Sequence, residues 1–393
     1  MSGQKNTPGQ LELSVVMPCL NEADTLAICI DKANSAMALH KINGEVIVAD
    51  NGSTDDSVKI AEVHSARVVP VKEKGYGNAL LGGIAAAQGK YIVMGDADDS
   101  YDFLEIPRFV DKLREGYDLV QGCRLPSGGG HLEDGAMPWS HRLIGNPLFS
   151  WMARHWFGAP IHDVYCGLRG FRKDYFVSLG QRCLGMEFAT EMIIKSSLYK
   201  AKIAEVPITL HKDGRKTHTS HLRTVRDGWR TLRFFLIYSP RHLFFIPGLI
   251  LVMLGLVGYV IALPGLSIAG ITFDAHTLLF SSLALICGFQ AISLMFLTKI
   301  FAINEGLMPS SGRFDNFVIS INIEKILFVA SLLVLGGLVL LASAMNMWRL
   351  VDFGHLDYAE TMRLVIPGAT FTAIGFQVAI SSFVIGMFRL KRK

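Results

Sequence analysis

Carboxylates and amides gather in three short stretches of the first hundred residues. They are Pro18-Cys19-Leu20-Asn21-Glu22, Asp50-Asn51-Gly52-Ser53-Thr54-Asp55 and Gly95-Asp96-Ala97-Asp98-Asp99. Asp96 and Asp98 flank one small residue, so both can point at one hard cation. A divalent ion held by one or two carboxylates plus substrate phosphates is the usual Mg²⁺ arrangement, and it would neutralise a diphosphate leaving group. Asp50 is placed to accept from a base N–H and Glu22 from a ribose hydroxyl. Each stretch alone also reads as a turn or a helix cap. Together, in this order and spacing, they point to one nucleotide site.

The elements that must position these residues alternate. Short apolar runs at Leu13–Met17, Val46–Ala49, Arg67–Val71, Tyr91–Gly95 and Leu119–Gly122 predict buried strands. Helix-period stretches at Asp24–Leu39, Thr54–His64 and Asn78–Ala87 lie between them. Such alternation predicts an α/β domain with a mainly parallel, doubly wound sheet, whose ligands bind beyond the carboxyl ends of the strands. Lys74-Gly75-Tyr76-Gly77-Asn78 opens a helix in the manner of half a dinucleotide fingerprint. Leu80 stands at its third glycine position and the segment does not follow the first strand, so a Rossmann cofactor site is excluded.

Across roughly residues 12–240 these motifs resemble the family 2 glycosyltransferases of GT-A fold (Rossmann-like), and within them the polyprenyl-phosphate sugar synthases of dolichol-phosphate mannose or glucose synthase type. The resemblance implies that Pro18, Asn21, Glu22 and Asp50 hold the nucleoside of a UDP- or GDP-linked sugar, and that Asp96 and Asp98 hold Mg²⁺ or Mn²⁺ with the diphosphate. It implies that Arg124, Arg142 and Arg215 face the acceptor phosphate. Asp163–Phe171 (DVYCGLRGF) is similar to the family's Asp…Ser-Gly-Phe-Arg stretch, with Cys166 for the serine and Leu168 for the phenylalanine. Arg169, His221, Asp163 and Glu187 are thereby candidates for the acceptor phosphate or for acid–base work. His221 stands where the family has lysine, and an imidazole is a weaker, pH-dependent phosphate partner. Ser100 stands where mannose-type members have glutamine, which leaves UDP-sugars open.

Half of the 393 residues are hydrophobic and only 18% are charged, and from Phe244 onward long stretches carry no charge. Phe244–Leu263, Thr277–Thr298, Ile326–Trp348 and Leu364–Phe388 are each long and apolar enough to cross a hydrocarbon core of ~30 Å. Lys and Arg concentrate before the first span, between the second and third, and after the fourth, so the catalytic domain and both termini are expected on the cytoplasmic side of a plasma or inner membrane. The polar N-terminus has no apolar signal core, and the six cysteines show no pairing pattern and read as free thiols. Residues 222–242 put Leu222, Val225, Trp229, Leu232 and Leu236 on one helical face and Arg223, Arg226, Arg230 and Arg233 on another, as an interfacial helix would.

The expected organisation is a catalytic domain over 1–221, an interfacial helix over 222–243 and a four-span membrane domain over 244–393. The expected activity is metal-dependent, inverting transfer of a sugar to a polyprenyl (undecaprenyl or dolichyl) phosphate. A hydroxyl acceptor in glycolipid or polysaccharide synthesis, with Asp163 or Glu187 as base, and an inactive scaffold or lipid-carrier transporter are the alternatives. The expected partners are the nucleotide sugar, the lipid and the membrane. No nucleic-acid partner is expected, and a homo-oligomer is left open.

Overall fold

The computed structural model describes residues 11–215, 224–268, 270–310, 312, 314, 316 and 322–389. The chain divides into two compact units, one ending at Phe235 and one beginning at Leu236.

In the first unit, β1 (Leu13–Cys19), α1 (Leu26–Leu39), β2 (Gly44–Asp50), α2 (Ser57–Val63), β3 (Arg67–Pro70), α3 (Tyr76–Ala86), β4 (Tyr91–Met94), α4 (Ile106–Arg114) and β5 (Leu119–Cys123) follow the predicted alternation. Then come β6 (His131–Leu132), α5 (Asn146–Phe157), β7 (Arg169–Arg172), α6 (Lys173–Leu179), α7 (Glu187–Leu198), β8 (Ile203–Pro207), β9 (Thr209–Leu210) and α8 (Thr224–Ile237), whose end passes the unit boundary. The sheet order is β3-β2-β1-β4-β7-β5-β8, parallel except for β7, which runs antiparallel to both β4 and β5. Strands β1, β2 and β4 are buried along nearly all of their length, as continuous apolar runs covered on both faces should be.

Register then does the positional work. Cys19 pairs with Asp50, Asp50 with Pro70, and Val16 with Met94. Because these strands are parallel, their carboxyl ends share one edge, and all three polar stretches emerge there. Reversed β7 begins at the same edge, Arg169 opposite Met94.

Helix α5 is preceded by a π-turn over His141–Gly145, and Pro147 sits in its first turn. A proline has no N–H to donate back and its ring crowds the preceding turn, so the helix widens locally. The same pairing of a π-turn with a first-turn proline recurs at Arg241–Phe245 and Pro247.

The second unit holds α9 (Ile246–Ala262), α10 (Ala275–Asn304), α11 (Ile323–Leu350) and α12 (Tyr358–Arg389). Four helices, Arg241–Ala262, Ala275–Asn304, Ile323–Leu350 and Tyr358–Phe388, are long and apolar enough to span a membrane. They overrun the predicted spans because a helix continues through polar residues once its apolar stretch has set it. Glycines let backbones approach: a Cβ on Gly288 would lie 2.7 Å from the Gly248 oxygen, and one on Gly337 2.6 Å from the Gly368 oxygen. Tyr259, Ser282 and Thr370 share hydroxyl hydrogen bonds across α9, α10 and α12 at 2.8 and 2.5 Å.

Close packing also seats α3 on the sheet. A Cβ on Gly83 would meet Val16 Cγ1 at 2.6 Å and Ala49 Cβ at 3.1 Å. Gly83→Val is therefore expected to lift α3 and cost about 1–3 kcal/mol, read as a lowered unfolding temperature of the full chain in detergent.

Candidate active site

The first two strand-end loops are stitched to each other. Ser53 and Ser57 hydroxyls accept from the N–H groups of Asn21 (3.0 Å) and Glu22 (2.9 Å). Asp55 accepts from Ala23 N–H at 3.1 Å, and Asn21 Oδ1 from Thr54 N–H at 2.8 Å. Asn21 holds φ at 61° and Asp99 at 58°, left-handed conformations that non-glycine residues adopt where surroundings over-determine them. Asp50 accepts from the N–H groups of Gly52 and Ser53 (3.2 and 3.0 Å), shaping its own turn. Asn51 accepts from Gly75 N–H (2.8 Å) and donates to Val71 and Glu73 carbonyls, so it clamps the 71–75 loop.

The third loop faces a cavity of about 560 Å³. Tyr76, Asp96, Asp98, Arg124, Arg215 and Arg230 contribute its polar wall; Met137, Pro138, Ile144, Phe149, Met186 and Leu210 contribute its apolar wall. Tyr76 donates to Asp96 Oδ1 at 2.9 Å, and burial together with the charge of Asp96 keeps its phenol protonated. Asp98 Oδ1 accepts from Ser100 N–H (3.1 Å) and Oγ–H (2.6 Å). Asp98 Oδ2 accepts from Arg215 Nη2 at 2.6 Å. The segment carrying Arg215 is bolted to this loop by His211 N–H to Ser100 O and Gly214 N–H to Asp98 O, both 2.9 Å. Burial, with the Asp98 charge second, raises Asp96 above the usual carboxylate range.

Residues 14–180 match glycosyl transferase family 2, and residues 296–389 match the glycosyltransferase family 2 C-terminal transmembrane region. Over 95% of its length the chain is 34% identical to the low-salt glycan biosynthesis hexosyltransferase Agl6 of Haloferax volcanii, covering 88% of that protein. The chain belongs to glycosyltransferase family 2. A dolichyl-phosphate hexose transferase of the same organism is 31% identical over half of this chain and 82% of its own length. Glucosyl-3-phosphoglycerate synthase from Mycobacterium tuberculosis, solved with Mn²⁺, UDP and glucosyl-3-phosphoglycerate, aligns at 24% identity and a TM-score of 0.44, over 58% of this chain and 78% of that one. The family assignment makes this an integral membrane glycosyltransferase with a GT-A domain and a helical membrane region.

Asp96 and Asp98 offer hard oxygens to one cavity, which fits a divalent ion. Among the described residues no third His, Cys, Asp or Glu joins them in a cluster, so water and substrate phosphate would complete the coordination.

The predicted site residues of this glycosyltransferase do not all converge. Pro18, Asn21, Glu22 and Asp50 do not line this cavity, and Glu22 Oε1 lies 3.5 Å from Nη1 of Arg215, which does. Arg124 lines the cavity but is forked onto Asp163, at 2.7 and 2.9 Å. Asp163 is fully buried and spent on that pair, which removes it as a base. Arg169 is fully buried and donates to the carbonyls of Cys166 (2.9 Å), Val164 (2.8 Å) and Ala189. It pins the 163–168 loop to α7 and cannot meet an acceptor phosphate. Arg142 lies on the exposed side of the π-turn, outside the cavity lining. Glu187 lines the cavity. His221 lies outside the described residues. Sequence reasoning missed Tyr76 because its Lys-Gly-Tyr-Gly segment was weighed only as a dinucleotide motif. The helix start directly after β3 was the signal available.

Two outcomes are expected. Arg169→Met leaves three carbonyls without their donor and should destabilise the fold by about 3 kcal/mol, seen as a lower unfolding temperature with acceptor KM unchanged. Burial, with Asp98, Asp213 and Asp96 adding to it against the pull of Arg215, pushes the Glu22 carboxyl from 4.5 up to about 7. In that window the folded chain keeps a proton that the unfolded chain has released, so stability falls as pH rises through it. Glu22→Gln should therefore raise the unfolding temperature, relative to the unsubstituted chain, more at about pH 8 than at about pH 5.

Proposed function

We propose that this glycosyltransferase moves a hexose from a nucleoside-diphosphate sugar to a polyprenyl phosphate at the cytoplasmic membrane face, with inversion and with a divalent ion. The observation that carries the reading is the cavity itself, which Asp96, Asp98, Arg124, Arg215 and Arg230 line together with apolar side chains. A lipid phosphate needs both halves. It is already ionised, so its oxygen attacks the anomeric carbon without a general base, and the nucleoside diphosphate departs as that bond forms. The obstacle is bringing two anions together, which calls for fixed cations. Arg124, held rigid by Asp163, is the preorganised one; Arg215 and Arg230 complete the set.

A divalent ion on Asp96 and Asp98 would neutralise the leaving diphosphate. Tyr76 keeps Asp96 oriented and Ser100 does so for Asp98. Glu22, Asn21, Asp50 and Pro18 form the neighbouring cradle for the nucleoside. The relatives' names, a hexosyltransferase of glycan biosynthesis and a dolichyl-phosphate hexose transferase, agree with the donor and acceptor classes.

Membrane access is supported by exposed apolar side chains around α5 and α8. Trp139 is 69% exposed, Leu143 67%, Trp151 46% and Trp229 62%. Inside, Phe235 of α8 packs against Phe149, Trp156 and Phe157 of α5, so the two helices form one surface. Tryptophan favours the water–bilayer interface.

A second reading, a hydroxyl acceptor, is favoured by one observation: Glu187 lines the cavity, and its carboxyl has no hydrogen bond or ion pair among the described residues. Purified chain with a donor panel and polyprenyl phosphate separates the two by product mass spectrometry. A metal-dependent glycosyl-phospholipid is expected, Asp98→Ala should lower turnover by roughly 10²–10³-fold, and Glu187→Gln should have a small effect. Transfer only to hydroxyl acceptors, with Glu187→Gln losing about 10²-fold or more, would overturn the phosphate reading.

A further inference from the structure

Arg215 is surrounded by more carboxylate than one guanidinium can satisfy. Its Nη2 is 2.6 Å from Asp98 Oδ2, its Nε 2.9 Å from Asp213 Oδ1, and its Nη1 3.5 Å from Glu22 Oε1. The other Glu22 oxygen, Oε2, is buried and has no hydrogen-bond partner among the described residues. A buried acceptor left unpaired is uncommon and calls for an explanation. The backbone around Arg215 is fixed by Gly214, whose N–H holds Asp98 O and where a Cβ would come within 2.9 Å of Thr25 Cγ2. With its backbone and its Nε end held, the guanidinium has Asp98 on Nη2 and Glu22 beside Nη1, so a small side-chain adjustment separates the two contacts.

Both oxygens of Asp98 already accept hydrogen bonds in this arrangement. Ser100 takes Oδ1 and Arg215 takes Oδ2, while Tyr76 takes Oδ1 of Asp96. A divalent ion entering here meets a positive charge already seated on one of its ligands.

We propose that Arg215 is a two-seat latch: it occupies Asp98 while the metal is absent and turns onto the unpaired Glu22 oxygen when the metal takes Asp98. The inference rests on the assignment of a divalent ion to Asp96 and Asp98, and it adds a competitor and an exit for that competitor. In the first seat the arginine neutralises Asp98, so the empty site does not carry unbalanced charge. In the second it forms a fork with Glu22 and stands beside the metal site as a cation available to the leaving diphosphate. The role is one of positioning and exchange, and metal affinity reads it directly.

The test is Mn²⁺ titration of the full chain in detergent, followed by the EPR signal of the free aquo ion, with no donor or acceptor present. Removing the competitor by Arg215→Gln should tighten Mn²⁺ by about tenfold, whereas Arg215→Lys, which keeps the charge, should stay within about threefold of the unsubstituted chain. At about pH 8, where the Glu22 carboxyl is ionised, Glu22→Gln removes the charge of the second seat and should weaken Mn²⁺, and that loss should shrink in the Arg215→Gln background, as coupled neighbours do. Equal or weaker binding by Arg215→Gln overturns the latch, as does an equal Glu22→Gln loss in both backgrounds, or no Mn²⁺ binding by any of these chains. A structure of the unsubstituted chain with Mn²⁺ reads the same point without a variant: the guanidinium on Glu22 supports it, and the guanidinium still on Asp98 beside the ion contradicts it. Because no sugar transfer is involved, a failure to make glycosyl lipid leaves this result standing, and the reverse also holds.

Discussion

Negative charge is concentrated at one edge of one sheet, and the molecule is organised around balancing it. Parallel register of β1, β2 and β4 delivers Glu22, Asp50, Asp96 and Asp98 to that edge. Like charges this close raise one another's proton affinity or draw in cations. Both responses are visible. Glu22 and Asp96 are pushed upward, chiefly by burial, and Arg215 is drawn among Glu22, Asp98 and Asp213. The strand edge therefore carries a local charge excess already under partial control.

The arginines divide by what holds them. Arg124 follows β5 and Arg169 opens the neighbouring β7, yet they do different things. Arg124 keeps part of its guanidinium at the cavity because Asp163 fixes it from behind. Arg169 spends its donors on carbonyls and has no carboxylate partner among its described contacts. Burial accordingly lowers its pKa. Buried pairs and buried donors cost desolvation that only close geometry offsets, so such residues fix a conformation rather than add stability. Here they fix the 163–168 loop, which forms one side of the cavity through Tyr165 and Gly167.

Much of the fold was legible in the residues. The five predicted strands and three predicted helices fall within a few residues of β1–β5 and α1–α3, because long apolar periodicity and strand-end polar clusters are local signals. The membrane helices were legible for the same reason. The reversed β7 was not, because strand direction depends on partners distant in sequence. Roles carried by motif position fared according to burial. Asp96, Asp98, Arg124 and Arg215 converge, whereas Arg169 matched its motif and turned inward, and Arg142 sits on the exposed side of a π-turn that Pro147 imposes. Pattern identifies residue types at a strand end; it does not say whether the guanidinium points to a cavity or to three carbonyls. Tyr76 escaped notice because a hydroxyl that orients a carboxylate has no motif of its own.

The proposed acceptor is a lipid phosphate, attacked through its oxygen. The most direct measurement is ³¹P and ¹H NMR of the lipid product formed by the purified chain from a nucleotide sugar and polyprenyl phosphate. A lipid-phosphate acceptor yields a phosphodiester whose anomeric configuration is inverted relative to the donor. A product in which the lipid phosphate remains a monoester and the sugar sits on a hydroxyl would contradict it.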